Sequence, residues 1–240
     1  MRLKKNFLYW FFVYAAVLSG FWSLCVLGSR AVTAINQEEI TFVRKCIIID
    51  AGHGGVDGGT TSCTGVTESN LNLEISLRLN DFLHLIGIDT KMIRTTDCSV
   101  YTSGETIAAK KISDLKERVR IVSETQNAIL VSIHQNYFSQ SIYSGAQVFY
   151  GKHTDSQKLA KELQENLIST VNQGSKRSAK KASGVYLMER VTCPAILVEC
   201  GFLSNPSEEA LLRSDAYQKK LCCIIGNTLS KFINSSQPIA

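Results

Sequence analysis

The 240-residue chain is 45% hydrophobic and 20% charged, enough apolar content to bury the core of one catalytic-sized domain with an appendage. That composition excludes disordered, collagenous and polytopic membrane classes. The formal net charge is +5, yet Arg2, Lys4, Lys5 and Arg30 all precede the first acidic residue, Glu38, and without them the chain is close to neutral. A nucleic-acid surface needs a clustered basic excess on the folded part, so no nucleic-acid partner is expected.

The basic start Met-Arg-Leu-Lys-Lys leads into Asn6 to Ser29, a stretch without a charged residue. It exceeds the about 7–15 residues of an ordinary signal core and reaches the roughly 20 needed to span a bilayer. Residues 1–29 are therefore read as a signal peptide or transmembrane anchor, with the anchor favoured and Val32-Thr33-Ala34 as the cleavage site of the other reading. Lys4 and Lys5 stay inside, and Leu24 before Cys25 is too large for lipoprotein-type processing. On either reading the remainder works outside the cytoplasm. Residues 30–43 read as a polar linker and 44–235 as the catalytic domain.

Beyond the linker, β-type apolar runs alternate with helical patterns, which predicts an α/β fold in one domain. The runs are Cys46 to Asp50, Asp89 to Arg94, Ala128 to His134, Gly145 to Tyr150, Val185 to Met188 and Ala195 to Glu199. Three of them (CIIID, AILVSI and AILVE) are nearly continuous in apolar residues, as strands covered on both faces are. Helical spacing marks Glu68 to Ile86, with Gly87 as a stop, and Ile112 to Glu124, Asp155 to Asn172 and Asp215 to Phe232. Asn205-Pro206-Ser207-Glu208 reads as an N-cap, a first-turn proline and an N3 glutamate, so a short helix starts there. None of the eight cysteines has zinc-cluster spacing. Most are read as small buried hydrophobes, with Cys63 and Cys98, in loop-like stretches, the one pairing considered.

In an α/β sheet, reactive groups gather at the carboxyl ends of strands. The polar exceptions of this sequence fall there. Asp50-Ala51-Gly52-His53-Gly54-Gly55 follows the first run, Ser132-Ile133-His134-Gln135-Asn136 ends the third, and Val198-Glu199-Cys200-Gly201-Phe202 ends the last. His53 between glycines suits either a metal ligand approached closely or a turn histidine that only hydrogen-bonds. His134, taken alone, reads as a satisfied core histidine. Glu68, at the start of the first long helix, is either a first-turn glutamate favoured by the helix dipole or the third member of a set. Two imidazoles and one carboxylate leave a fourth tetrahedral position open, the pattern of a catalytic zinc. Glu199 ends an apolar run where an unpaired charge is costly, which suggests either a bridge to Arg94 or Arg118 or a general base for a zinc-activated water. His84 and His153 read as structural or solvated, the run Lys176, Arg177, Lys180 and Lys181 as a solvated loop at a cleft rim, and Asp57 and Asp97 as either turn residues or supports of a ligand.

The stretches IIIDAGHGGVDGG, ESNLNLEIS, MIRTTD, LKERVRIV, ILVSIHQN and PAILVECGFLSNPSE, in this order, resemble the zinc-dependent N-acetylmuramoyl-L-alanine amidases that cleave peptidoglycan. The resemblance covers about Cys46 to Phe232 and is strongest to germination-specific members from endospore-forming bacteria. It implies a mixed-to-largely-parallel sheet of about six strands with helices on both faces. It implies one Zn2+ per chain on His53, Glu68 and His134, with Glu199 as the catalytic glutamate. The chain departs from many relatives at Asp57-Gly58-Gly59-Thr60, where they carry Asp-Pro-Gly-Ala, and at Ser69, where they carry lysine.

The implied reaction is hydrolysis of the amide between the lactyl group of N-acetylmuramic acid and L-alanine of the stem peptide. In spore cortex this prepares muramic lactam together with a muramic deacetylase, on the cortex side of the forespore membrane. Peptidoglycan glycan strands are the substrate partner, and Asn136 and Arg177 are the candidates for holding glycan or peptide carboxylates. Three protein ligands and a long glycine-rich loop before Glu68 also suggest an accessory protein controlling activity or metal occupancy. The competing readings are a membrane-tethered, non-hydrolytic wall-binding scaffold and a zinc peptidase or deacetylase of other specificity.

Overall fold

The computed structural model describes residues 2–37 and 44–235, in two units divided between Val43 and Arg44. The described residues of the first form one helix, α1 (Arg2–Gln37). Its window Trp10–Gly28 has 19 residues with a mean hydropathy of 1.9 and no buried share, and at 1.5 Å per residue it is about 28 Å long, close to a bilayer core. The helix continues to Gln37, so the first part of the segment read as linker, including Val32-Thr33-Ala34, is helical. The rest of that linker, 38–43, lies outside the described residues.

The second unit runs β1 (Cys46–Ala51), α2 (Glu68–Leu85), β2 (Thr90–Met92), α3 (Ile107–Ser123), β3 (Ala128–Asn136), β4 (Gln147–Tyr150), α4 (Thr154–Thr170), β5 (Lys180–Lys181), α5 (Tyr186–Arg190), β6 (Ala195–Phe202), α6 (Pro206–Leu212) and α7 (Asp215–Ser235). The six strands form one sheet in the order β2-β1-β3-β6-β4-β5. It is mixed: β4 runs antiparallel to β6 and every other pairing is parallel. The continuous apolar runs are buried on both faces, as expected. Ile47 and Ile49 of β1 and Ile129, Val131 and Ile133 of β3 face α2, α4 and α7. Ile48, Leu130 and Leu197 face α3 and α5. The chain leaves β1 for β2 on one side and returns to β3 on the other, so connections diverge between β1 and β3. A crevice at the carboxyl ends of such strands is where open α/β sheets bind ligands.

Several local expectations change. Val185 to Met188 is not a strand: Val185 is the N-cap of α5, and Leu187 and Met188 bury on the α3 face. A four-residue apolar run carries too little periodicity to separate the two states. The sixth strand is instead β5 in the basic stretch, where exposed Lys180 and Lys181 pair with Phe149 and Tyr150. Lysines on an edge strand discourage further strand pairing. Helix α3 begins earlier than predicted because Thr106 caps it, accepting from the Ala109 amide at 3.1 Å. Asn205 caps α6 through the Ser207 and Glu208 amides, but the Glu208 carboxylate turns to the Phe202 and Gly145 amides at 2.9 Å each.

All eight cysteines are free, so the considered Cys63–Cys98 bond is not formed. Only Cys200 and Cys222 are buried, while Cys25, Cys63, Cys98 and Cys223 are exposed, and the reading of most cysteines as buried hydrophobes does not hold.

Candidate metal centre and active site

β1 delivers the first imidazole through a backbone that side chains would obstruct. A Cβ on Gly52 would lie 2.2 Å from the His134 ring, so only glycine lets the two strand ends close together. His53 itself is left-handed at φ 61, followed by Gly54 at φ 129 and Gly55 at φ 59. Such a conformation is uncommon for a side-chain-bearing residue and needs support from its surroundings. Arg118 provides part of it, donating to the His53 carbonyl at 2.7 Å and the Ala51 carbonyl at 3.1 Å.

Glu68 is the first residue of α2 and is 3% exposed. One carboxylate oxygen accepts from His134 Nδ1 at 2.9 Å, the Gln135 amide at 3.2 Å and Asn72 Nδ2 at 3.3 Å. The other accepts from the Thr60 amide at 3.1 Å and lies 3.2 Å from His53 Nε2. Burial pushes this carboxyl up, but hydrogen bonds to both histidines outweigh it and hold the group far below the ordinary carboxylate range. His53 Nε2, His134 Nδ1 and the Glu68 carboxylate thus face one another, and ligand atoms of the three residues lie within 4.8 Å. The imidazole rings stand 5.0 Å apart at 75°. Two imidazole nitrogens and a carboxylate on three separate elements fit a divalent ion and match the donor set zinc takes in hydrolytic sites.

The remaining nitrogen of His53, Nδ1, is 3.0 Å from Asp57 Oδ2, which also meets Lys111 Nζ at 3.1 Å. A carboxylate behind a ligating histidine fixes its tautomer and orientation. Asp57 is therefore placed to support His53 as a ligand, one of the two alternatives open for it in the sequence. Replacing it by Asn is expected to weaken metal affinity by about 10-fold or more, read by competition with a chromophoric chelator; unchanged affinity would remove this role. Gly59, at φ 68, closes the other side: a Cβ there would sit 2.6 Å from Glu68 Oε2 and 2.9 Å from His53 Cδ2. Gly59→Ala is expected to displace both side chains and lower metal content in the purified protein, while a variant with full metal would contradict that.

Glu199 stands on β6 in register with His134 on β3. The two strands bring the side chains to the same edge of the sheet. Glu199 Oε2 is buried without a hydrogen-bond partner. Burial pushes its carboxyl up to about 7, with His134 drawing it down and Glu68 adding to the rise. The bridge to Arg94 or Arg118 considered from sequence is not made: Arg118 pairs with Asp50 and Asp114, and Arg94 hydrogen-bonds backbone carbonyls. A cavity of about 220 Å³ joins Glu199 to His53, His134, Asp57, Lys111 and Tyr186.

The profile of the N-acetylmuramoyl-L-alanine amidases matches residues 47–231 of this chain. The chain belongs to that family. A germination-specific N-acetylmuramoyl-L-alanine amidase of Bacillus subtilis (strain 168) is 38% identical over 183 residues, which are 75% of this chain and 76% of that protein. Among solved structures, the CwlD amidase of Clostridioides difficile, in complex with the GerS lipoprotein, is 37% identical with a TM-score of 0.77, covering 80% of this chain and 100% of that one. An N-acetylmuramoyl-L-alanine amidase of Clostridium difficile 630 is 30% identical with a TM-score of 0.71, covering 81% and 100%. The amidase is therefore a cell-wall hydrolase with a germination-specific relative.

Two other residues predicted to hold substrate lie apart from this cavity. Asn136 ends β3, and its carbonyl accepts from the Leu203 amide at 2.8 Å. Arg177 lines a separate groove of about 730 Å³, stacks at 5.0 Å on the Phe202 ring and donates to the Ser144 carbonyl. His84 Nε2 meets Thr90 Oγ1 at 2.6 Å and His153 caps α4, both structural as expected. Asp97 accepts from the Gly55 amide at 3.0 Å and so steadies the loop of the amidase that carries His53.

Proposed function

We propose that the amidase is a zinc enzyme that hydrolyses the bond between the lactyl group of N-acetylmuramic acid and L-alanine in spore-cortex peptidoglycan. The observation that carries this reading is the convergence of His53, Glu68 and His134 beside a buried carboxylate, Glu199, with an unpartnered oxygen. When bound, zinc supplies Lewis-acid polarisation of the scissile carbonyl and acidifies water. His53 and His134 would offer one ring nitrogen each to the ion, Asp57 holds the His53 ring, and Glu68 brings the compensating negative charge.

Glu199 does the proton work. Its carboxyl, raised to about 7, takes the proton of the attacking water near neutral pH and returns it to the departing alanine amine. No covalent bond to the chain forms at any stage. The apolar wall of Leu197, Leu187 and Val185 that completes the cavity limits bulk water and strengthens these interactions. Asn136 and Arg177 remain as contacts for outlying parts of a polymeric substrate.

The spore assignment is supported by the germination-specific relative. In that setting the freed muramic carboxyl, with a deacetylase, leads to muramic lactam. The apolar helix α1 suits an export signal or anchor, which supports a site of action outside the cytoplasm, and the proposed location is the cortex side of the forespore membrane. A related CwlD amidase has been solved with the GerS lipoprotein, which supports an accessory-protein partner here, and the proposed role of that partner is control of activity or metal occupancy.

The test is mass spectrometry of muropeptides after incubating the full-length protein, in detergent, with cortex peptidoglycan. Stem peptides bearing a new L-alanine amino terminus are the expected product. Cleavage at another amide, or release of acetate, would replace the substrate assignment.

A further inference from the structure

Arg94 follows β2 and is 2% exposed, yet all four of its hydrogen bonds go to backbone carbonyls. Nε donates to Ala51 at 2.8 Å and Nη1 to Thr96 at 3.0 Å. Nη2 donates twice, to Gly52 at 3.0 Å and to Ser69 at 2.8 Å. A buried charge without a directly bonded carboxylate is costly to keep. Its placing is also specific, because Gly52 immediately precedes His53 and Ser69 immediately follows Glu68. One nitrogen therefore joins the backbone beside the first ligand to the backbone beside the second, across a loop that has little regular structure of its own.

Neighbouring residues are shaped to admit this bridge. A Cβ on Gly54 would lie 2.9 Å from Arg94 Nε and 2.4 Å from the Cys98 carbonyl. Asn72 Nδ2 reaches the same Gly52 carbonyl at 3.1 Å and the Glu68 carboxylate at 3.3 Å, adding a second tie between the same two segments. A planar guanidinium meets three or four acceptors in fixed directions, which a lysine ammonium on a flexible stem does not reproduce.

We infer that Arg94 is a positioning residue for the metal centre: by joining the Gly52 and Ser69 carbonyls, its guanidinium sets the separation of His53 and Glu68 before the ion arrives. The inference rests on the metal-centre reading above. A residue that only packs would alter stability and leave metal affinity alone, whereas a residue that sets ligand spacing alters affinity in molecules that are still folded.

The experiment measures zinc affinity of the full-length protein by competition with a chromophoric chelator, at a temperature where circular dichroism shows each variant folded. Arg94→Lys is expected to bind zinc at least about 10-fold more weakly than the parent, a loss of the size seen when groups supporting ligands are removed. Arg94→Gln, which also discards the buried charge and cannot span both carbonyls, is expected to show the same loss and covers the case in which the lysine variant fails to fold. In both, saturating zinc should recover most of kcat with KM unchanged. A folded variant with parental zinc affinity overturns the role of Arg94 and leaves the metal centre standing. A parent protein that takes up no zinc overturns both.

Discussion

Glu199→Gln is expected to lower turnover by about 10²–10⁴-fold, the range that a positioned proton-transfer group contributes. Glutamine keeps the shape of the side chain on β6 and its place opposite His134, but it has no affinity for the proton of water at neutral pH. Glu199 Oε2 has no hydrogen-bond partner and Glu199 makes no ion pair among the described residues, so the fold should be unaffected. Zinc content should also stay at the parental value, because Glu199 is not among the three residues whose ligand atoms converge. Initial rates on cortex peptidoglycan, beside elemental analysis of the same preparation, check both halves. Near-normal turnover would remove Glu199 from the mechanism, and loss of metal along with rate would make it a ligand.

The largest effect on stability is expected at Arg118. Its guanidinium pairs with Asp50 and, at 2.6 Å, with Asp114, while also donating to the Ala51 and His53 carbonyls. Asp50 is 1% exposed and accepts from Ser132 at 2.6 Å. Arg118→Ala leaves that carboxylate buried without its cation, a loss of about 3–5 kcal/mol. For a domain of this size the melting temperature should fall by about 6–20 °C. The pH dependence follows from the same pair. Burial pushes the Asp50 carboxyl up, but Arg118, Ser132 and His134 together hold it below its ordinary 3.8. A group depressed in the folded state stabilises fully above that value and stops doing so as pH falls through its folded pKa. The parent should thus lose this contribution only as pH falls below 3.8, and the gap in melting temperature between parent and Arg118→Ala should narrow on acidification, because in the variant burial alone acts on Asp50 and favours its protonated form. Matching acid profiles would show that the pair contributes little.

What was legible in the sequence was whatever contrasts with its surroundings. β1, β3 and β6 stand out as unbroken apolar runs, and His53, His134 and Glu199 stand out because they end those runs. Glu68 was readable from the start of a helix with a full period of apolar positions. Short elements were not readable: α5 has five residues and β5 two, less than the repeat needed to tell helix from strand. The supports of the site were equally hidden. Asp57 meets His53 because the loop turns back through paired Gly54 and Asp57 backbones, a feature of glycine conformation and not of residue order. Arg94 and Arg118 were visible as charges near apolar strands, but their acceptors are mostly carbonyls, which every residue carries. Arg177 drew notice by its charge, although the groove it lines is not the one that holds Glu199.

The proposed role of His53, Glu68 and His134 is to hold the ion on which hydrolysis depends. Stripping the full-length amidase of metal with a chelator and titrating zinc back, while stem-peptide release is followed, puts that role to the test. Activity should vanish in the metal-free protein and return in proportion to zinc up to one ion per chain, with His134→Ala showing neither uptake nor recovery. Undiminished release from metal-free protein, or full zinc uptake by His134→Ala, would show that hydrolysis does not depend on an ion held by these three residues.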